Sequence, residues 1–264
     1  PVASYRPDLL QKLEAEVPHN WDDLLALARK GAVAMPGIPI DTLMNFYMLC
    51  STQGEDPFVD DKWAVSDATG IQVLDQMREL ASLCDAEIFN WNPIAVYEAL
   101  SRRDDLAYCP FAYGYSNYAR RGFSDNLLLF TDMVAVDGHR CRSTLGGTGL
   151  AISASSSHLD MALAYAAFTA NPKTQQTIFF ESGGQPGHRS AWESEKVNGH
   201  CHDYFRNTLP ALDRAYLRPR YPGYLHFQDH AGDPIRDYLM HGGNSKEVLA
   251  KLAKLYRESK ELSS

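Results

Sequence analysis

Tyrosines and one asparagine are concentrated in a short segment that follows a strand-like apolar run at residues 106–111. The segment reads Tyr113-Gly-Tyr115-Ser-Asn117-Tyr118. Tyrosine rings offer apolar faces that stack on a sugar or another ring, while their hydroxyls and the Asn117 amide fix a ligand's orientation by hydrogen bonds. A tyrosine-rich turn that packs on the core would have the same spacing, so this pattern alone leaves ligand binding and packing open.

The motifs of several enzyme classes are incomplete in this chain. The run Gly146-Gly-Thr-Gly149 precedes an apolar segment and has no following lysine, which excludes a P-loop and a dinucleotide fingerprint and favours close backbone packing at a hinge. The serines at 155–157 and Ser182 lack the G-x-S-x-G pattern of a nucleophile elbow. A catalytic alternative would need an acid–base pair in a cleft, such as Asp41 with His188.

Nine histidines raise the question of a metal site. His200 and His202 point apart on a helix, whereas His226 and His230, four residues apart, share one face. No glutamate completes an H-E-x-x-H pattern around them, so the sequence predicts neither a metal site nor a cofactor.

Composition and charge exclude further classes of protein. The chain has 264 residues and a net charge of −8, and its acidic field would repel nucleic acid and anionic membranes. No apolar run approaches the roughly 20 residues that cross a bilayer. The five cysteines are odd in number and widely spaced, which leaves the redox compartment open. The basic pairs Arg120-Arg121 and Arg218-Pro-Arg220 are interpreted as parts of a solvated surface.

Periodicity predicts strands alternating with helices, and hence an α/β fold. Strands are predicted at 32–35, 106–111, 127–130 and 150–152. Helices are predicted at 8–13, 21–29, 42–49, 70–83, 93–101, 159–169 and 172–180, and the chain from residue 194 onward is mostly helical in period, with a break at 218–223. Asn20 is the expected N-cap of the second helix, and Gly31 ends it.

Several segments occur in an order that resembles one known family. They are Tyr5-Arg-Pro-Asp8-Leu-Leu, Pro18-His-Asn-Trp21-Asp-Asp-Leu-Leu, Gly146-Gly-Thr-Gly-Leu-Ala-Ile-Ser153, Asn171-Pro-Lys-Thr-Gln175 and Ser182-Gly-Gly-Gln-Pro-Gly-His-Arg189. This order is similar to that of the extracellular solute-binding proteins of ABC importers, particularly the carbohydrate-binding branch that includes the maltose-binding proteins. Asn20 stands where the family usually has threonine, a change that a helix cap tolerates.

The resemblance implies a type II periplasmic-binding-protein (Venus flytrap) fold, in which two α/β lobes close on a ligand between them. Residues 1–133 would begin the second lobe at an interlobe crossing, residues 134–184 would be a returning segment of the first lobe, and residues 185–264 would be the helical completion of the second lobe. The opening part of the first lobe would be missing. The implied protein is a monomeric, non-catalytic binding component that is periplasmic or extracellular, with a small-molecule solute and a membrane permease as partners.

The resemblance also implies where a ligand would bind. Seven implied positions belong to the second lobe, in the loop after the first strand, in the aromatic loop and after Arg218: Asp41, Phe111, Tyr113, Tyr115, Asn117, Tyr221 and Tyr224. Three more come from the hinge and the first-lobe remnant: Thr148, Gln185 and Arg189. The family often has an aromatic residue where Thr148 stands, which weakens the expectation of a stacked sugar. Two alternatives remain open: an enzyme on the same fold acting on a sugar or acyl substrate, and a non-binding sensory remnant.

Overall fold

The first strand of the chain is the central strand of its main sheet. In the computed structural model, which describes residues 1–59, 63 and 65–261, β1 (Val2–Tyr5) pairs antiparallel with β2 (Tyr108–Ala112) on one side and β3 (Leu129–Thr131) on the other. Tyr5 lies opposite Tyr108 in one neighbour and Leu129 in the other. A central strand is covered on both edges, and β1 and β2 are accordingly almost wholly buried.

Among the described residues between β1 and β2, the chain forms five α-helices. They are α1 (Pro7–Lys12), α2 (Trp21–Ala28), α3 (Pro39–Thr52), α4 (Asp67–Ser82) and α5 (Pro93–Arg102), with a short 3₁₀ helix at Ala86–Asn90. The predicted cap of α2 is confirmed: the Asn20 side chain accepts from the Asp23 amide, and the Asp23 carboxylate accepts from the Asn20 amide.

The remainder of the chain contains a hairpin and seven further α-helices among the described residues. They are β4 (Ala135–Val136), β5 (His139–Arg140), α6 (Leu159–Ala170), α7 (Pro172–Thr174), α8 (Arg189–Trp192), α9 (Glu195–His200), α10 (Tyr204–Asp213), α11 (Tyr224–His241) and α12 (Ser245–Glu261), together with a 3₁₀ helix at Ser116–Ala119 and a π-helix at Gln175–Phe179. The predicted helix at 172–180 is therefore divided between α and π geometry.

The helical core is built around α3, in which twelve of the fourteen residues are buried. Helix α11 packs against α3, α4 and α12. The contact with α3 is close because Gly232 faces the Pro39 backbone, where any Cβ would clash. Next to this contact, the Phe58 ring lies among six aromatic rings, those of Tyr47, Trp63, Tyr221, Tyr224, Phe227 and Tyr256.

Two predicted strands are wrong. Residues 32–35 are buried but form only a single bridge, between Val33 and Tyr108. Residues 150–152 form no strand, because no other segment in the described part of the chain lies beside them to accept their backbone hydrogen bonds.

Helix α6 is apolar on every side, yet none of its residues is buried. Its large apolar side chains are exposed, among them Met161 at 73% and Tyr165 at 63%. A helix that is apolar all round is normally enclosed by other elements. Of the described residues, no helix is both long enough and apolar enough to cross a membrane.

Candidate functional site

Tyr113, in the aromatic loop after β2, is the centre of the candidate site. Its hydroxyl lies 3.0 Å from Thr144 Oγ1, and its ring covers Gly146 so closely that a Cβ there would lie 2.5 Å from the ring. Burial raises the pKa of Tyr113, and the charge of Asp41 raises it further. The Thr144 hydrogen bond and the charge of Arg218 lower it. Tyr113 is therefore within electrostatic range of Arg218 and Asp41. We call Asp41, Tyr113, Thr144, Arg218 and Tyr224 the Tyr113 cluster.

Asp41 supplies an acidic group to this cluster from the first turn of α3. The residue is only 6% exposed, and no described residue donates a hydrogen bond to its Oδ2 atom. Burial raises the pKa of this carboxyl to about 7, and the charge of the Pro1 amino group opposes the shift. A buried carboxyl oxygen without a partner is costly, so this atom is a candidate acceptor for a ligand.

Tyr224 brings a second unpartnered group from the start of α11. It is 7% exposed, and among the described residues neither its hydroxyl nor that of Tyr47 makes a hydrogen bond of acceptable geometry, although the two hydroxyls are close enough that their contact lowers the pKa of Tyr224 and raises that of Tyr47. Burial raises the pKa of Tyr224 to about 12, and the charge of Arg218 opposes this rise. The hydroxyl is therefore neutral at physiological pH and available as both donor and acceptor.

Arg218 reaches the cluster because its chain segment pairs with the one that carries Thr144. The Tyr216 amide donates to the Ser143 carbonyl at 2.6 Å, and the Leu145 amide donates to the Tyr216 carbonyl at 2.8 Å. Two residues later, Arg218 is half-buried and donates through Nη1 to Gln228 Oε1 at 2.8 Å. The interpretation of Arg218 as part of a solvated surface is wrong.

The other basic pair also departs from that interpretation. Arg120 is half-buried, its guanidinium lies 4.0 Å from the centre of the Phe180 ring, and it donates to the carbonyls of Phe180 and Gly184. It fixes the end of the π-helix region to the aromatic loop. Its neighbour Arg121 is exposed, as predicted.

The remaining residues of the aromatic loop lie in varied surroundings. Tyr115 is 42% exposed and meets Tyr97 edge to face, whereas Phe111 is buried in β2. Asn117 Oδ1 is buried without a partner. Gln185 accepts from the Ser116 amide and donates to the Gly114 carbonyl, so it is hydrogen-bonded to the loop. The ligand contacts predicted for these four residues stay predictions.

The other three predicted residues make contacts of their own. Thr148 is exposed. Arg189 forms a surface ion pair with Asp213 at 2.7 Å. Tyr221 is buried in the aromatic core, with its hydroxyl 2.9 Å from Ser259 Oγ. Their roles in ligand binding also stay predictions.

Two members of the Tyr113 cluster, Thr144 and Arg218, were not among the predicted positions, and neither was the neighbouring Tyr47. Tyr47 carries no signal beyond helical spacing, and Thr144 lies in a segment without a motif. The available signal for Arg218 was its place three residues before the predicted Tyr221. It was insufficient because the pairing of 143–145 with Tyr216 is not visible in the sequence.

The described residues contain no group of three or more histidine, cysteine or acidic side chains able to hold a metal. His226 and His230 lie on one face of α11 with ring centres 4.3 Å apart, as their spacing predicts. His188 is committed to the cap of α8, where its Nδ1 lies 2.8 Å from Ser190 Oγ.

Comparison with known proteins identifies one matching family and many solved structures of similar fold. The sequence profile described as bacterial extracellular solute-binding protein matches residues 1–199. A search of curated protein sequences gives no match.

Three solved structures illustrate the likeness of fold. T. maritima MalE3 with maltose bound is 19% identical to this chain, with a TM-score of 0.81. The match covers 97% of this chain and 69% of the MalE3 chain. The solute-binding protein of Agrobacterium radiobacter K84 in complex with ribitol is 18% identical, with a TM-score of 0.79 and coverages of 99% and 69%. That of Thermotoga lettingae TMO, bound with alpha-D-tagatose, is 17% identical, with a TM-score of 0.80 and coverages of 98% and 69%. At these identities the likeness establishes a shared α/β fold.

Proposed function

Because the chain belongs to the family of bacterial extracellular solute-binding proteins, the non-catalytic binding components of ABC transporters, we propose that it captures a small polar solute, a sugar or sugar-like compound, and presents it to a membrane permease. The chain has the periplasmic-binding-protein fold. Structures of that fold have been determined with maltose, ribitol and tagatose bound. The enzymatic alternative is set aside because the family is non-catalytic.

One observation carries the choice of ligand class: the Tyr113 cluster contains buried polar atoms without partners. Among the described residues, Asp41 Oδ2 and the Tyr224 hydroxyl have no partner of good geometry, and Tyr113 contributes an aromatic ring to the same cluster. A polyhydroxylated ligand offers several hydroxyls that each donate and accept, together with apolar ring faces. It would satisfy these atoms and stack on the tyrosine in one binding event.

We assign the lobes as the family resemblance implies, with residues 134–184 belonging to a first lobe and the flanking segments to a second. The exposure of α6 supports this, because an apolar helix without cover fits a lobe whose other layers lie outside these residues. The contact of Arg120 with Phe180 and Gly184 would then lie at the junction between the lobes.

The first test is a thermal-shift screen of the purified protein against sugars, polyols, amino acids and carnitine-like cations. A ligand present at a hundred times its dissociation constant adds about 2.7 kcal/mol of stability. We expect a selective shift with a sugar or polyol. A protein that none of these compounds stabilises would favour the non-binding sensory alternative.

A matched pair of tyrosine variants then locates the ligand. Because the Tyr224 hydroxyl makes no hydrogen bond of good geometry with the described residues, Tyr224→Phe should change the melting temperature little while weakening the ligand about tenfold. The Tyr216 hydroxyl donates to the Pro57 carbonyl at 2.6 Å, so Tyr216→Phe should cost about 1 kcal/mol of stability and leave affinity unchanged.

Calorimetry and urea unfolding of both variants measure the two effects. Equal affinities for Tyr224→Phe and the parent protein would remove this hydroxyl from the site.

A further inference from the structure

We propose that the site takes an acidic sugar, with Arg218 as the residue that recognises the ligand's carboxylate. This inference rests on the proposed function, since it assumes that the Tyr113 cluster binds a sugar-like solute, and it adds the chemical class of that solute. It depends on the position of Arg218, on the partners that its guanidinium lacks, and on the groups around it.

The position of Arg218 is fixed by backbone pairing. Tyr216 exchanges hydrogen bonds with the 143–145 segment, and within that segment Thr144 bonds the Tyr113 hydroxyl. Arg218 follows Tyr216 by two residues, and Gln228 on α11 holds its guanidinium through a single hydrogen bond. The side chain is thus directed between the Thr144 segment and the start of α11, which carries Tyr224.

The guanidinium has unused hydrogen-bonding capacity. It offers five N–H donors, of which Gln228 takes one. No carboxylate in the described part of the chain lies within 4.0 Å of Arg218, whereas Arg142 and Arg189 are each paired with an aspartate. A half-buried arginine with a free edge matches a carboxylate, which accepts two parallel N–H bonds.

The surroundings supply the rest of a sugar acid's recognition. Gln228, which holds Arg218, lies one helical turn after Tyr224, and Thr144, in the segment that pairs with Tyr216, lies 3.0 Å from the Tyr113 hydroxyl, so a carboxylate at Arg218 would place its attached ring near both tyrosines. Asp41 is not among the groups paired with Arg218, and its unpartnered oxygen remains free to accept from a ligand hydroxyl. The Tyr113 cluster therefore offers Arg218 to the carboxylate of a ligand and Asp41 to a hydroxyl of the same ligand.

The experiment measures the affinities of glucuronate and galacturonate against those of glucose and galactose by calorimetry, in low and high salt. We expect at least one uronate to bind about tenfold more tightly than its neutral counterpart, because a charge-assisted bidentate pair is stronger than a neutral hydrogen bond. Added salt should reduce the difference in affinity between the uronate and its neutral counterpart.

Arg218→Gln should abolish the preference for the uronate, so that the uronate binds no more tightly than its neutral counterpart. Arg220→Gln is the matched control: this arginine is exposed two residues away and should change neither affinity. Unchanged melting temperatures verify that both variants fold.

The outcomes separate the two proposals. Neutral sugars that bind as tightly as uronates, or an Arg218→Gln variant that weakens both equally, would overturn the acidic-sugar assignment and leave the proposed function in place. If neither kind of sugar binds the parent protein, the proposed function fails and this inference fails with it.

Discussion

At the scale of single residues, Asp41 couples the candidate site to pH. Its carboxyl is buried, and its pKa rises from 3.8 to about 7 on folding because burial disfavours the charged form. The folded protein holds this proton more tightly than the unfolded chain does. Stability is therefore greatest below the unfolded pKa and falls as pH rises toward 7.

We expect Asp41→Asn to remove this pH-dependent loss of stability, which is on the order of 4 kcal/mol for a pKa shift of this size. Urea unfolding of both proteins at several pH values between 4 and 8 measures it. The variant should gain stability relative to the parent as pH rises, and parallel profiles would show that Asp41 keeps an ordinary pKa.

The residues that sequence reasoning placed in the site are those with a local signal. Tyr113 lies in a visible tyrosine cluster, and Asp41 was predicted in a loop between a buried run and a helix, although it lies in the first turn of α3. Arg218 was assigned to the surface because burial of a long cationic side chain depends on its neighbours in the fold. Here Tyr216, two residues before it, pairs with the 143–145 segment, more than 70 residues earlier in the chain, and the Arg218 guanidinium donates to Gln228 on α11.

At the scale of elements, helix α2 is specified by its own sequence. Its capping box satisfies backbone amides that would otherwise lack partners at the helix start. Asn20→Ala should therefore destabilise the protein by about 1 kcal/mol, whereas Asn20→Ser should retain most of the stability. Asp22→Ala, a change to an exposed first-turn residue outside the box, is the control for the loss of a polar group in chemical denaturation. An Asn20→Ala variant as stable as the parent would contradict a stabilising role for the cap.

Helices were predicted better than strands for a physical reason. The signals for α2, α5 and α4 are internal: a cap, a first-turn proline and a regular apolar period. A strand exists only if a partner lies beside it, and the sequence does not show whether one does. Residues 150–152 have strand composition and no hydrogen-bonded partner in the described structure, so they form no strand.

At the scale of the whole molecule, the exposed apolar surface of α6 should govern association in solution. Contiguous apolar surface of this kind marks an interaction site. Replacing Tyr165 and Phe168 by lysine should reduce both self-association and the binding of a hydrophobic dye, with little change in unfolding free energy because neither side chain is buried.

Leu225→Lys is the control for that experiment, since Leu225 is 70% exposed on α11, away from this surface. Analytical ultracentrifugation of the lysine variants beside the parent measures the association. If the α6 variant associates as the parent does, another surface is responsible.

The pairing of β1 sets the order in which the protein can fold during synthesis. Residues 2–5 are made more than 100 residues before their two neighbours at 108–112 and 129–131. Closing chain segments of this length is slow, and β1 has no strand to pair with until β2 has left the ribosome. Helices α1 to α5 can form from local contacts in the meantime, so β1 is paired only after them.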